Sequence, residues 1–109
     1  MAPDPKNDPV LQFFVSRLRS LAGDHLLGVT LFGSRARGDA RPYSDYDCLV
    51  LVKEITPWVE DAVAEAAGAT FFEFSIPFSA FPVAEPRFKA GNYNPFFLNI
   101  RKEGVPLWP

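Results

Sequence analysis

The sequence predicts a small α/β domain (α+β in layout), in which a mixed sheet of three or more strands packs against helices. Apolar residues recur at helical spacing in two segments. Two continuous apolar runs, LLGVTLF at 26–32 and YDCLVLV at 46–52, are typical of buried strands. A chain of 109 residues has room for one core. We therefore predict a loose tail over residues 1–8 and a single domain over residues 9–109.

The first predicted helix begins at Pro9, with Asp8 as its cap, and stops at Gly23. Its apolar positions share one helical face, and they are Leu11, Phe14, Val15, Leu18 and Leu21. The strand at 26–32 follows and ends at Gly33. Residues 34–38 have the composition of a turn with a short helical start.

A second helix is predicted from Thr56 and Pro57, with Gly68 as its stop signal. The phenylalanine-rich segment TFFEFSI at 70–76 is predicted to be the third strand. Three prolines among residues 77–93 predict an irregular segment there.

The remaining residues predict one more helix and an extended end. Asn94 and Pro95 begin this helix, which is expected to run through Lys102 and stop at Gly104. The final VPLWP is expected to pack as an extended piece.

Composition excludes several classes of function. The net charge is −2 and the pI is about 5.3, which argues against a broad electrostatic surface for nucleic acid. A single cysteine cannot form an internal disulfide, so we expect a cytoplasmic protein. No signal peptide or membrane span is predicted, because no apolar run approaches the ~20 residues that a span needs.

The stretch GSRARGDARPYSDYD at 33–47 combines groups that bind anions with groups that bind cations. Asp45 and Asp47 are two apart at the start of a strand, so their carboxylates point the same way and suit Mg²⁺. Gly33 and Ser34 lie where backbone N–H groups at a helix start could receive phosphate oxygens. The arginines able to add charge-assisted bonds to phosphates are Arg35, Arg37 and Arg41. Together these groups predict a site for a metal–nucleoside triphosphate complex.

A third acidic residue, Glu73, lies inside the predicted third strand, where a charged residue needs a reason. If this strand neighbours the one that carries Asp47, Glu73 could be a metal ligand or the base that takes the acceptor's proton. The alternative is a solvent-facing residue on an edge strand. Likewise, Asp45 and Asp47 could simply cap turns, and the arginines could be ordinary solvated charges.

Two other residues with reactive side chains are assigned no role. Cys48 lies within a predicted buried strand and is expected to be a core residue. His25 has no partner ligands at metal-binding spacing. Eight of the 11 phenylalanines lie at or after residue 71, and those around residues 77–93 are expected to form an apolar surface for a protein partner.

Gly33–Ser34, ten residues, and then Asp45–Tyr46–Asp47 resembles the G-S-x10-D-x-D pattern of the DNA polymerase β-like nucleotidyltransferases. The segment GSRARGDARPYSDYDCLVLV is similar to the smallest members, the MNT-domain proteins, and NIRKEGVPLW at 99–108 resembles how those chains end. The resemblance spans most of residues 10–108, and its specific part is 33–51.

The resemblance implies a role for each matching residue. Gly33 and Ser34 would hold the β- and γ-phosphates of ATP, and Asp45 and Asp47 would bind two Mg²⁺ ions, which Mn²⁺ could replace. Glu73 would be the third carboxylate, where many relatives have aspartate. The implied reaction is attack of a hydroxyl on the α-phosphorus, with pyrophosphate leaving.

Such small proteins are often paired with a helical HEPN-domain protein, as antitoxin to its toxin. The resemblance therefore implies transfer of AMP to a tyrosine hydroxyl of this partner, since the chain has no room for a domain that binds the acceptor. The second hypothesis is an antitoxin that acts by docking alone, with a weak active site. The third is transfer to an RNA end or a small molecule. A homo-oligomer could also supply the acceptor.

Overall fold

A four-stranded mixed sheet forms the centre of the fold. The computed structural model describes residues 4–109. The strands are β1 (Leu26–Phe32), β2 (Tyr46–Val52), β3 (Phe78–Ala84) and β4 (Val105–Trp108). Their spatial order is β3-β2-β1-β4, with β2 and β3 parallel and the other two pairs antiparallel. The fold class predicted from the sequence is confirmed.

Helices cover both faces of the sheet. They are α1 (Pro9–Ala22), α2 (Ser34–Arg37), α3 (Pro57–Phe74), α4 (Glu85–Ala90) and α5 (Pro95–Glu103). The main core lies between α1, α3 and one face, where Phe14, Val50 and Val59 are fully buried. A smaller core lies on the other face, where Leu49 and Val83 of the sheet meet Phe97 and Ile100 of α5. We call this second side the α5 face.

Several predicted elements are confirmed to within one residue of their predicted bounds. Asp8 caps α1 by accepting a hydrogen bond from the Val10 N–H at 2.9 Å. The short helix after Gly33 and the helix after Asn94 are both present, and the last segment forms β4 beside β1. Cys48 is fully buried, as expected of a core residue. Of the predicted tail, residues 1–3 lie outside the described residues, and Pro5–Asn7 form a 3-10 turn.

The predicted strand at 70–76 is wrong, because α3 continues past Gly68 to Phe74. One glycine costs a helix only about 1 kcal/mol, and the buried face continues through Ala66 and Thr70. The Thr70 hydroxyl donates to the Ala66 carbonyl at 2.7 Å, which satisfies its polar group inside the helix. The helix ends at Ser75, whose φ of 56° is left-handed.

The prediction of an irregular segment at 77–93 is also wrong, because β3 and α4 lie there. Pro82 is tolerated in β3 because this strand lies at the edge of the described sheet and has one unpaired side. Pro86 lies in the first turn of α4, where no helical hydrogen bond needs its missing N–H. Both prolines were interpreted as breakers, although each occupies a position that suits proline.

The exposed aromatic residues are therefore not confined to residues 77–93. Phe71 and Phe72 lie on α3 with 48% and 89% of their surface exposed, and Phe81 and Phe96 lie on β3 and α5. Within residues 4–109, no helix is long and apolar enough to cross a membrane.

Candidate active site

Gly33 and Asp47 are in close contact at one end of the sheet. Gly33 follows β1 with φ of 79°, and a Cβ atom there would lie 2.7 Å from Oδ2 of Asp47. Only glycine combines this backbone conformation with the space that the carboxylate occupies. The antiparallel pairing of Phe32 with Asp47 brings the two together. The glycine–serine turn and the second aspartate of the motif thus form one small surface.

The two aspartates differ in exposure. Asp45 is exposed in the loop before β2, whereas Asp47 is half-buried in the strand. Burial, and then the negative charge of Asp45, raise the pKa of the Asp47 carboxyl above its usual value. Both causes disfavour the charged form, so a cation at this position would relieve an existing electrostatic cost.

The short helix α2 closes the turn beside these carboxylates. The N–H groups of Ala36 and Arg37 both donate to the Gly33 carbonyl at 3.1 Å, and the Ser34 carbonyl accepts from Gly38 and Asp39. Gly38 ends α2 with φ of 82°. Ser34 is thereby fixed at the start of the turn, directly after Gly33.

In this structure the Arg35 side chain is engaged by neighbouring residues of the protein. Its guanidinium donates to the carbonyls of Ser44 and Pro42 at 2.9 and 3.1 Å and to the Tyr46 hydroxyl at 3.2 Å. It also lies 4.0 Å from the centre of the Tyr46 ring. The Tyr46 hydroxyl in turn donates to Oδ2 of Asp8 at 2.6 Å. Arg35 thus ties the loop that carries Asp45 to the start of α1.

The other two arginines are exposed. Arg37 pairs with Asp39 at 3.3 Å and with Glu103 at 3.5 Å, and the hydrogen bond that it donates to Asp39 is the main cause of its raised pKa. Exposed ion pairs are weak because solvent screens them, so Arg37 can exchange these partners for a phosphate. The Arg41 side chain is exposed, and its backbone N–H donates to the Ser44 hydroxyl at 2.9 Å.

Glu73 is not placed beside the two aspartates by the third strand, because it lies in the last turn of α3 and is exposed. The true third strand pairs Asp47 with Ser79, so the position that faces Asp47 carries a hydroxyl. Within residues 4–109, no group of three or more His, Cys, Asp or Glu side chains is placed to hold a metal ion together.

Two carboxylates nonetheless suit a magnesium–nucleotide complex. Mg²⁺ commonly binds through one or two carboxylates, several waters and the phosphates of its substrate. The residues that would hold it are Asp45 and Asp47, and Asp47 lies directly against the turn at Gly33. The donor set therefore fits a metal ion that arrives with a nucleotide.

Three residues of this region were not foreseen from the sequence. Tyr46 and Asp8 complete the network of Arg35, and Ser79 faces Asp47. Alternation of Ser79, Phe81 and Val83 on one side of β3 is a strand signal that the prolines obscured. No sequence pattern indicates that Arg35 reaches the carbonyls of Pro42 and Ser44.

Comparisons with known proteins agree with the fold described above. The model of the nucleotidyltransferase domain family matches residues 13–76. A Methanocaldococcus jannaschii protein, which bears the name protein adenylyltransferase MJ1305, is 44% identical over 46 residues. These are 42% of this chain and 31% of that protein, so the match spans about a third of the relative's length.

Solved structures share the fold. A toxin–antitoxin solved with AMP-PNP superposes with a TM-score of 0.64 at 19% identity, over 87% of this chain and 70% of that one. A mutant of the toxin–antitoxin MntA–HpeT gives 0.63 at 17% identity, over 86% and 69%. A minimal nucleotidyltransferase gives 0.58 at 25% identity, over 93% of this chain and 98% of that one.

Proposed function

Because this chain belongs to the nucleotidyltransferase domain family, we propose that it transfers AMP from Mg-ATP to a hydroxyl group of a partner protein. The observation that carries the proposal is the contact of Asp47 with Gly33. It joins the carboxylates of the motif to its glycine–serine turn, so metal and phosphate would meet at one place. Asp45 and Asp47 would hold two Mg²⁺ ions, with Mn²⁺ able to replace them.

In this reaction the acceptor hydroxyl oxygen forms a bond to the α-phosphorus while the bond from that phosphorus to the bridging oxygen breaks. Pyrophosphate leaves with the bonding electrons, and the hydroxyl proton passes to water, since the site is open to solvent and Ser79 is not a base. Asp45 and Asp47 would hold the Mg²⁺, which when bound would lower the pKa of the acceptor hydroxyl and offset the phosphate charge. Ser34 and Arg37 would contact the phosphates. Arg35 would hold the loop that carries Asp45 through its hydrogen bonds to backbone carbonyls of that loop.

The proposed partner is a HEPN-domain toxin, with this chain as its antitoxin and a tyrosine hydroxyl as the acceptor. Two observations support it. The described residues form one small domain without a second domain to bind an acceptor, and toxin–antitoxin structures are among its relatives in fold. A second copy of this chain is the alternative source of the hydroxyl.

A second candidate function is an antitoxin that acts by docking, with little catalysis. Ser79 favours it, because the strand position that faces Asp47 lacks a carboxylate able to take a proton. The two candidates differ in one test: a docking antitoxin would still neutralise its partner after Asp45→Asn and Asp47→Asn.

The experiment that tests the proposal is incubation with ATP labelled at the α-phosphate, Mg²⁺ and extract of the native host. We expect a labelled protein band that Asp45→Asn/Asp47→Asn abolishes and that the exposed control Asp61→Asn retains. Mass spectrometry of the band would identify the modified side chain. Label in RNA or a small molecule instead would contradict the protein acceptor, and no label from a folded sample would favour docking.

A further inference from the structure

Three phenylalanine rings form a partly exposed shelf on the α5 face. Phe32 lies 5.7 Å from Phe81 and 5.4 Å from Phe96, and Phe81 lies 6.2 Å from Phe96, between ring centres. Phe81 and Phe96 are each 41% exposed. Beneath them, buried Phe97 contacts Phe96 at 5.8 Å and holds it in place. We call the rings of Phe32, Phe81 and Phe96 the aromatic shelf.

The aromatic shelf begins next to Asp47. Phe32 and Ser79 are the direct strand partners of Asp47, so all three side chains point to the same face of the sheet. Phe81 lies two residues beyond Ser79 on that face. A ligand that contacts Asp47 through its metal can therefore reach the shelf without crossing the sheet.

We propose that the aromatic shelf is the nucleobase subsite of this chain, with the base of the nucleoside triphosphate stacked on Phe81 and Phe96. The inference rests on the proposed function, because it requires the triphosphate to lie at Gly33 and Asp47. Two residues along a strand span about 6–7 Å, which suits the ribose that separates the α-phosphate from the base. Aromatic side chains are effective stacking partners for bases.

Other occupants fit the shelf less well. An acceptor phenol carries its hydroxyl on the ring itself, so its ring would have to lie against the carboxylates rather than one strand step away. A protein partner has a larger apolar surface at Phe71 and Phe72, on α3 and thus on the opposite side of the sheet. The three rings of the shelf carry no hydrogen-bonding group, so we expect purines to bind better than pyrimidines and ATP to differ little from GTP.

The test compares two ligands by calorimetry in the presence of Mg²⁺: an ATP analogue with a methylene group between the α- and β-phosphorus, and inorganic tripolyphosphate. The wild-type chain should bind the analogue more tightly. Phe81→Leu/Phe96→Leu should weaken the analogue about tenfold and leave tripolyphosphate unchanged. Phe81→Tyr, which keeps a ring, should retain the affinity, and Phe72→Leu is the matched control on the other side of the sheet.

The outcomes separate this proposal from the function on which it rests. Unchanged affinity for the analogue in the folded leucine variants would overturn the nucleobase subsite. This holds even if the KM for an acceptor rises in those variants, because the rings would then serve the acceptor and not the base. Equal affinity of the wild type for both ligands would overturn it too. If neither ligand binds the wild type, or Asp45→Asn/Asp47→Asn does not weaken tripolyphosphate, the phosphate and metal site itself is wrong.

Discussion

At the scale of single residues, Gly33 carries the strongest constraint. Gly33→Ala should destabilise the fold by about 1–2 kcal/mol, because its φ is left-handed, and should also abolish nucleotide binding, because the new Cβ would displace Asp47. Gly23→Ala is the matched control: Gly23 has φ of 55° but open space around its Cβ position. Urea unfolding should respond to both variants, and ATP titration only to Gly33→Ala. Retained ATP binding in that variant would contradict the contact with Asp47.

The two arginines of α2 should separate into a positioning residue and a ligand. Arg35→Lys should lower the free energy of unfolding by about 1–3 kcal/mol, since lysine cannot reach three acceptors with one planar group. Arg37→Gln should leave the free energy of unfolding unchanged and raise the KM for ATP. Unfolding curves and steady-state kinetics of both variants measure this, and the reverse pattern would restore Arg35 as the phosphate ligand.

Tyr46 should make stability depend on pH in the alkaline range. Burial, and then its hydrogen bond to Asp8, raise the pKa of the Tyr46 hydroxyl above the value of about 10 in an unfolded chain. Above pH 10 the unfolded state therefore loses this proton before the folded state does, so stability falls as the pH rises. Unfolding at pH 8 and pH 10.5 should show this loss in the wild type and in Tyr43→Phe, which alters an exposed ring, and a smaller loss in Tyr46→Phe.

Some residues of the candidate site could be placed from the sequence, and others could not. Gly33 and Asp47 could be placed together, because glycine before a turn and alternating aspartates at a strand start each have a local signature. Glu73 was wrongly expected on a strand that could lie beside β2, because this expectation depended on which segment pairs with β2. The contacts of Arg35 could not be predicted, because two of its acceptors are backbone carbonyls, which every sequence offers equally.

At the scale of elements, α3 has a weak point at Gly68 that can be improved. Gly68 lies inside the helix, and a Cβ there would meet nothing within 4 Å. Gly68→Ala should therefore raise the free energy of unfolding by about 1 kcal/mol. Gly104→Ala is the opposite control and should destabilise, since its Cβ would collide with the Ile100 carbonyl. Urea unfolding of both variants measures these changes. An unchanged free energy of unfolding in Gly68→Ala would argue that the helix ends at Gly68.

The elements that were predicted correctly have local signals at both ends. Helix α1 has Asp8 and Pro9 at its start and a left-handed glycine after its end. The continuation of α3 past Gly68 and strand β3 were missed because tertiary packing outweighs local preference. The buried face of α3 carries the helix past Gly68, and an edge position lets β3 hold Pro82.

At the scale of the whole molecule, the surface carries an exposed phenylalanine that contributes little to the stability of the fold. Phe72 is 89% exposed on the outer side of α3, where acidic Asp61 and Glu65 are also exposed. Phe72→Ser should leave the melting temperature unchanged and reduce self-association at high concentration. Light scattering and thermal unfolding measure the two effects, with the more buried Phe74 as the control, since Phe74→Ser should unfold the chain at a lower temperature. A lower melting temperature of Phe72→Ser would mean that this ring is packed.

The pairing of β1 with β4 ties the strand that leads into Gly33 to residues 105–108. Val29 lies beside Trp108, so one flank of the strand that leads into Gly33 is completed by residues made almost 80 positions later. During synthesis on a ribosome, the backbone groups of β1 that pair with β4 would stay unpaired until residue 108 had left the exit tunnel. A nascent chain would therefore hold an incomplete sheet next to Gly33 until β4 had emerged and paired with β1.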